Sequence, residues 1–363
     1  MSDPLVDPFH GMAKTIRHRR SDVLECLSDW VALRADLPVE DPHPTALALI
    51  ERGYRTTDVA HFLIGGDPDA TGPHLTRSLT NHDFGDALST AAGAAMGSAY
   101  NAQAAEWSSI VRSVSSKGMK GLETPVVDIG ELNTTNFANA GGPIQTPLIQ
   151  IDSGDRVDVN SYALRYLVAR ELLVNDDVGA IALLNAQLGG AYAKLPPQRI
   201  AAIISADAAL ADGEALFTSA NSTSNTGLDV TSVNEALGLL RTATSRAGNV
   251  QNVRGAHLLI PPTLEATAAI LNESMGRRFN IVVNSWLTSD TDGFLLASPS
   301  ESPVFVYTYP DSIGPRPTLD TTPAQDRDET GAVVHYDGLA FVARYTFGLN
   351  AVARAGICKI TGS

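Results

Sequence analysis

The chain is predicted to be an α+β protein, on three observations. Tyr162, Leu164, Tyr166 and Val168 alternate with Ser161, Arg165 and Ala169, which is the period of a strand. Just beyond, Val178, Ile181, Leu184 and Leu188 recur at helical spacing. A long strand leading into a long amphipathic helix therefore makes a spine, and Ile181, Leu184 and Leu188 form a stripe that has to rest on a sheet or another helix. Second, helical and strand patterns alternate beyond residue 230, as in an α/β unit. Third, glycines at 130, 141, 142 and 154 surround short β-prone pieces between residues 126 and 160, with too few apolar side chains for a core. That segment reads as a two-stranded excursion, which is marginal in water unless it packs on something else.

Composition bounds the classes. A chain of 363 residues, 44% apolar and 18% charged, is a folded protein of two domains, or of one domain with large extensions. A net charge of -14 argues against a surface that wraps duplex DNA as a whole, while leaving room for a local basic patch. Cys26 and Cys358 stand far apart with no CxxC or Cys/His cluster, so neither a zinc site nor a disulfide framework is expected and a reducing compartment fits. No apolar run approaches the ~18 residues of a membrane span, and MSDPLVDPFHG lacks the apolar core of a signal peptide, so a cytoplasmic origin is expected.

In chain order, prolines at 4, 8, 38, 42 and 44 punctuate short helical pieces. KTIRHRR at residues 14–20 is the dense basic run; Lys14, Arg17, Arg19 and Arg20 read either as a solvated helix face or as a phosphate-contacting arm. ALALIERG and TTDVAHFLIGG are helical patterns that stop on glycine. GGDPDATGP, residues 65–73, is a linker by composition and marks a boundary. Thr80 or Asn81 then caps an alanine-rich helix whose small residues permit close packing and whose end Trp107 anchors. Asn175, Asp176 and Asp177 supply capping oxygens for the spine helix, which Pro196 and Pro197 should kink or break. Thr231 or Ser232 is the expected cap of the next helix, with Val233, Leu237 and Leu240 inward. AHLLI, FNIVVNSWL, FLLA and VFVYTY read as strands, and Pro261 and Pro262 lead into the helix TLEATAAILNES. A turn-rich stretch, YPDSIGPRPTLDTTPAQDRDETG, separates these from the final strands, residues 333–360.

No catalytic, metal or cofactor site is expected. GxxxxGK[ST], GxSxG, HExxH and EF-hand patterns do not occur. The eight histidines are scattered with no i, i+4 pair; His82 beside Asp83 and His335 near Asp337 are the closest acid/base neighbours. Asp176 and Asp177 are better explained by capping, and Trp30, Trp107 and Trp286 by core or interface anchoring.

Several stretches together resemble a known family. LTRSLTNHDFGDAL with its alanine-rich helix ending at Trp107, YALRYLVARELLVNDDVGA, ADGEALF, and LLIPPTLEATA followed by VVNSWL look like the major capsid proteins of tailed bacteriophages, over residues 75–350 and in the right order. They most resemble the branch often encoded behind a prohead protease, and ALALIERGYRTTDVAHFLI looks like the helical linker preceding the capsid part in those fusions. The protease itself is not expected in this chain.

The resemblance implies the Hong Kong 97-type phage capsid fold: residues 1–73 an N-terminal segment and linker, 74–121 an N-arm helix region, and 122–161 an extended β-loop. Residues 162–229 would be a peripheral domain with a spine helix, 230–330 an axial α/β domain, and 331–363 strands returning to the peripheral and axial domains. The loop would lie across a neighbouring subunit, burying Phe137, Ile144, Leu148 and Ile149 only in the assembly, with Arg156 a further contact. Tyr309, Pro310, Asp311 and Ile313 become candidates for loops near the capsomer axis, and the basic run of Lys14, Arg17, Arg19 and Arg20 a candidate DNA-facing segment. The implied role is a structural one without catalysis: self-assembly as pentamers and hexamers into an icosahedral shell around packaged double-stranded DNA. Implied partners are the chain itself, a portal, and scaffold or decoration proteins, with DNA held non-specifically and no membrane. Assembly would take place in the host cytoplasm. The double proline and the 73 N-terminal residues depart from the family pattern. An encapsulin-like nanocompartment shell and a soluble α/β hydrolase are the alternatives.

Overall fold

The computed structural model describes residues 20–34, 39, 41–51, 53–54, 82–124, 126–129, 149–152, 154–169, 171, 178–224, 227–244, 250–322, 325–327, 333–335 and 338–362. It is an α+β protein whose chain divides into two compact units, each assembled from separated segments. The first comprises residues 1–102, 161–192 and 316–345, the second 103–160, 193–315 and 346–363. These borders differ from the consecutive segments expected from the sequence, because strand pairing and core contacts join distant stretches.

The first unit begins with α1 (Arg20–Arg34) and α2 (Pro44–Glu51). Pro44 suits the first helical position, where its missing N–H costs nothing. The chain then stops as glycine predicts: Gly53 takes φ +69, its N–H donates to Ile50 O at 2.9 Å and that of Tyr54 donates to Leu49 O at 3.3 Å, a Schellman closure. The second helical pattern expected before residue 65, and the caps expected at Thr80 or Asn81 and at 175–177, lie outside the described residues.

Next come α3 (His82–Ser108), whose residues to Ala102 belong here, β6 (Asn160–Ala169) and α4 (Val178–Ala193). α3 and α4 approach closely: a Cβ added at Gly189 would stand 2.1 Å from Met96 O. The apolar stripe expected on α4 needs correction. Ile181 is buried, but Leu184 is 41% exposed, because three residues on it falls on the flank while Asn185 and Tyr192 hold the centre line. Asn185 is fully buried; its Nδ2 donates to Ile181 O at 2.8 Å and its Oδ1 accepts from the Tyr166 hydroxyl at 2.7 Å. The unit is completed by β11 (Thr318–Thr322), a β12–β13 pair (Gln325–Arg327 and Val333–His335) and the first half of β14 (Gly338–Ala351). β11 runs antiparallel to β14, and β6 also pairs with β14. The stretch expected to be turns therefore carries two strands, since β14 and β13 supply hydrogen-bonding edges that local composition does not reveal.

The second unit contains two sheets. β1 (Val111–Ser116) pairs parallel with β10 (Phe305–Pro310), which pairs antiparallel with the end of β14. Trp107 is buried against Tyr307, with ring centroids 5.4 Å apart, as expected of an anchor. The other sheet has the order β15-β9-β7-β8 (Ile357–Ile360, Gly293–Ala297, Gly255–Ile260 and Asn280–Val283). β7 and β8 are parallel, joined through a 3-10 turn at Pro262–Leu264 and α7 (Glu265–Ser274). One core holds Val233, Leu237 and Leu240 of α6 (Val230–Thr242) together with Leu258, Ile260, Leu295 and Ile360. The cap of α6 is Asp229, rather than Thr231 or Ser232: Asp229 and Ser232 bond reciprocally as a capping box. The spine is interrupted as the prolines require. α4 ends at Ala193, Lys194 is a turn, and α5 (Leu195–Ala206) starts with Pro196 and Pro197 in its first turn, where no N–H is needed.

Candidate assembly interface

The described parts of the glycine-rich excursion pair as a two-stranded ribbon in the second unit. β2 (Leu122–Glu123) pairs with β5 (Arg156–Val157), and β3 (Val126–Ile129) with β4 (Ile149–Asp152), both antiparallel. Its foot is fastened by polar contacts. The N–H and hydroxyl of Thr124 both donate to Asp155 O, at 3.2 and 2.8 Å. The Asp155 carboxylate accepts from Ala211 N at 2.9 Å, and Asn350 Nδ2 donates to Arg156 O at 3.1 Å. Val157 is fully buried there.

Of the residues expected to meet a neighbour, Phe137, Ile144 and Leu148 lie outside the described residues; Ile149 opens β4, paired with Ile129. Arg156 stands in β5, with its Nε donating to Asp158 Oδ1 at 2.7 Å and its side chain 59% exposed. Lys14, Arg17 and Arg19 fall outside the described residues, and Arg20 opens α1.

The axis-loop candidates separate. Tyr309 and Pro310 end strand β10 instead of standing in a loop, and Pro310 is buried. Pairing of β10 with β1 carries the strand through Ser115↔Tyr309 and Ser116↔Pro310. Asp311 and Ile313 lie exposed in the turn that follows, where Ile313 N and Gly314 N both donate to Pro310 O at 3.0 Å. Gly314 adopts φ +86, which only glycine tolerates readily.

Among the described residues no group of three His, Cys, Asp or Glu could hold a metal ion, and no helix is long and apolar enough to cross a membrane. A cavity of about 360 Å³ in the second unit is lined by Asp155, Asp212, Asn221, Arg354 and apolar side chains. Its charges answer each other, Arg354 pairing with Asp212 and Asp155 accepting from Ala211 N.

Residues 153–360, more than half of the chain, match the model of a family described as phage capsid protein. The chain belongs to that family. No curated protein matches it. Among solved structures this capsid-family chain is similar to one from Mycobacterium phage Adephagia, at 13% identity and a TM-score of 0.47 over 70% of this chain and 88% of that one. It is similar to one from Mycobacterium phage Cain at 14% identity, a TM-score of 0.46, and 74% and 90% coverage. A third is the capsid of an empty GTA particle, at 12% identity, a TM-score of 0.44, and 72% and 90% coverage.

In the phage capsid protein the sequence pattern missed an exposed apolar set. Leu164 and Leu167, on opposite faces of β6, are each 47% exposed, and Leu183 on α4 is 61% exposed. In the second unit Ile270 is 72% exposed and Trp286 40%. Strand alternation places Tyr162 and Leu164 on one face and cannot tell whether that face is covered.

Proposed function

We propose that the chain is a major capsid protein of a tailed phage with the Hong Kong 97-type fold, which self-assembles as pentamers and hexamers into an icosahedral shell enclosing packaged double-stranded DNA. The observation that carries this reading is the capsid family match over residues 153–360. In this reading the ribbon from β2 to β5 is the extended loop, reaching across a neighbour. α4 and α5 form an interrupted spine helix, and the sheet β15-β9-β7-β8 with α6 and α7 is the axial core. The turn carrying Asp311 and Ile313 faces neighbours within a capsomer. The shell works through repeated interface geometry without catalysis, and its further partners are the portal and scaffold or decoration proteins. The branch encoded behind a prohead protease and assembly in the host cytoplasm belong to the same reading.

Negative-stain microscopy of the purified protein tests it. Closed shells of uniform diameter are expected, and particles recovered from infected cells should contain nuclease-protected double-stranded DNA. A protein that sediments only as a small species under all assembly conditions overturns the shell; uniform particles packed with an enzyme instead of DNA overturn the phage role.

A further inference from the structure

The part of the chain matched by the capsid family begins at residue 153, yet the core it contributes to the first unit is closed by helices that lie outside the match. From the matched part come Val168, Ile181 and Phe341, all at most 2% exposed, with the Tyr166 ring stacked on Phe341 at 5.4 Å. α3 adds Ala91 and Ala92. What covers them is Cys26, Leu27, Trp30 and Val31 of α1 and Ala46 and Leu49 of α2, none more than 2% exposed. Trp30 is fully buried, and its indole N–H finds no hydrogen-bond partner among the described residues, so apolar packing is the main thing that seats it there.

The two helices are also tied to each other. His43 N donates to Asp29 Oδ2 at 2.9 Å, Arg34 Nη1 donates to Tyr54 O at 2.7 Å, and the Arg34 guanidinium lies 5.6 Å from the Trp30 ring centre. Residues 20–54 thus form a small element with its own internal fastening and one apolar face, and that face is spent on the capsid body. The element's residues share one buried cluster with Val168, Ile181 and Phe341.

We propose that residues 20–54 act as a tethered ligand of the capsid body: the body carries a binding seat built around Val168, Ile181 and Phe341, and the helix pair stays seated there after its covalent connection is cut. The pair is consequently a lasting part of the subunit, retained in the finished particle. Ordinary linker behaviour, as the proline-punctuated sequence suggests, would leave such apolar side chains on solvent.

The test replaces GGDPDATGP, residues 65–73, by a protease recognition sequence in the full chain, cuts the folded protein, and separates it by native size exclusion. Both fragments should elute together for the wild-type pair. An N-terminal fragment that elutes alone overturns the proposal. Leu49→Ala, which removes side-chain contact from the seat, should leave the uncut chain eluting normally and release the fragment after cutting; undiminished co-elution would show that this face does not hold it. A second readout does not depend on that variant folding. Mass spectrometry of mature wild-type particles should find residues 20–54 in one copy per body, whether joined or cut, and particles made of bodies lacking them overturn the proposal. Elution is read on the subunit, so failure of the shell reading and failure of this one are distinguishable.

Discussion

Gly189 and Gly238 are both helical glycines, but only one has a reason to be glycine. A Cβ at Gly189 would stand 2.1 Å from the Met96 carbonyl oxygen, whereas one at Gly238 would meet nothing within 4 Å. Gly189→Ala should therefore destabilise the subunit by at least ~1–3 kcal/mol through overpacking against backbone. Gly238→Ala, on the exposed side of α6, should stabilise it by ~0.5–1 kcal/mol by reducing the entropy of the unfolded chain. Urea unfolding compares the two directly, and equal effects would contradict this account of α3–α4 packing. The buried thiols make a pH prediction. Burial pushes both Cys26 and Cys358 up to about 12, with the charges of Asp29 and Glu235 adding to the shift. An unfolded thiol ionises near ~8.5. Above that pH the unfolded chain gives up protons that the folded chain keeps, so this stability is complete below the unfolded value and is lost as pH rises toward the folded one. Between pH ~8 and ~9.5 the urea midpoint should fall at a cost of about 1 kcal/mol per thiol. The fall should flatten in a Cys26→Ala, Cys358→Ala variant, and an unchanged slope there would assign it to other groups.

At the scale of elements, the ribbon and the spine obey different constraints. The described part of the ribbon pairs as two short antiparallel stretches and is rooted through Asp155, Arg156 and Val157. Two-stranded ribbons gain little stability by themselves. Replacing residues 131–147 by a short polar turn should leave the subunit folded, with far-UV circular dichroism and a thermal midpoint close to wild type, while abolishing shells in the microscope. A subunit that unfolds outright would mean that the ribbon belongs to the core. The interruption at Lys194 has a plain local cause. Pro196 and Pro197 cannot donate in a helix interior, and they are tolerated here because a new helix begins at Leu195.

For the whole molecule the proposed assembly raises the question of covalent reinforcement. The resemblance to tailed-phage capsids brings with it isopeptide locking in some relatives, between a lysine of the extended loop and an asparagine of a neighbouring subunit. This chain has lysines only at 14, 117, 120, 194 and 359, none of them between residues 126 and 161. The basic residue there is Arg156, already engaged with Asp158, and a guanidinium stays protonated and is a poor nucleophile. Particles should therefore be held by many repeated non-covalent contacts, such as those open to Leu164, Leu167 and Leu183. Boiling mature particles in detergent should release single chains, together with any N-terminal fragment produced by cutting. A ladder of multimers linked through residues 122–161 would show this chemistry to be wrong.

Patterns carried by neighbouring residues were legible in the sequence: the strand before the spine, the break at the double proline, the glycine stop at Gly53, the inward face of α6 and the two-stranded excursion. Each depends on interactions within a few residues, which periodicity and turn chemistry encode directly. The family, too, could be read from ordered motifs between residues 75 and 350. Burial was another matter, because it depends on what arrives from elsewhere in the chain. Only the tertiary structure decided that α1 and α2 close the core around Phe341, that Leu184 flanks the stripe while polar Asn185 sits at its centre, and that Tyr162 and Leu164 remain exposed. It also decided that β11 and β12 form in a turn-rich stretch, where partner strands supplied the hydrogen bonds. For the α6 cap, Asp229, Thr231 and Ser232 are all chemically suitable, and the backbone geometry selected Asp229 by letting it and Ser232 satisfy each other. Sequence periodicity states which side chains share a face; only the folded chain states what covers that face, since that cover comes from residues that no local pattern connects.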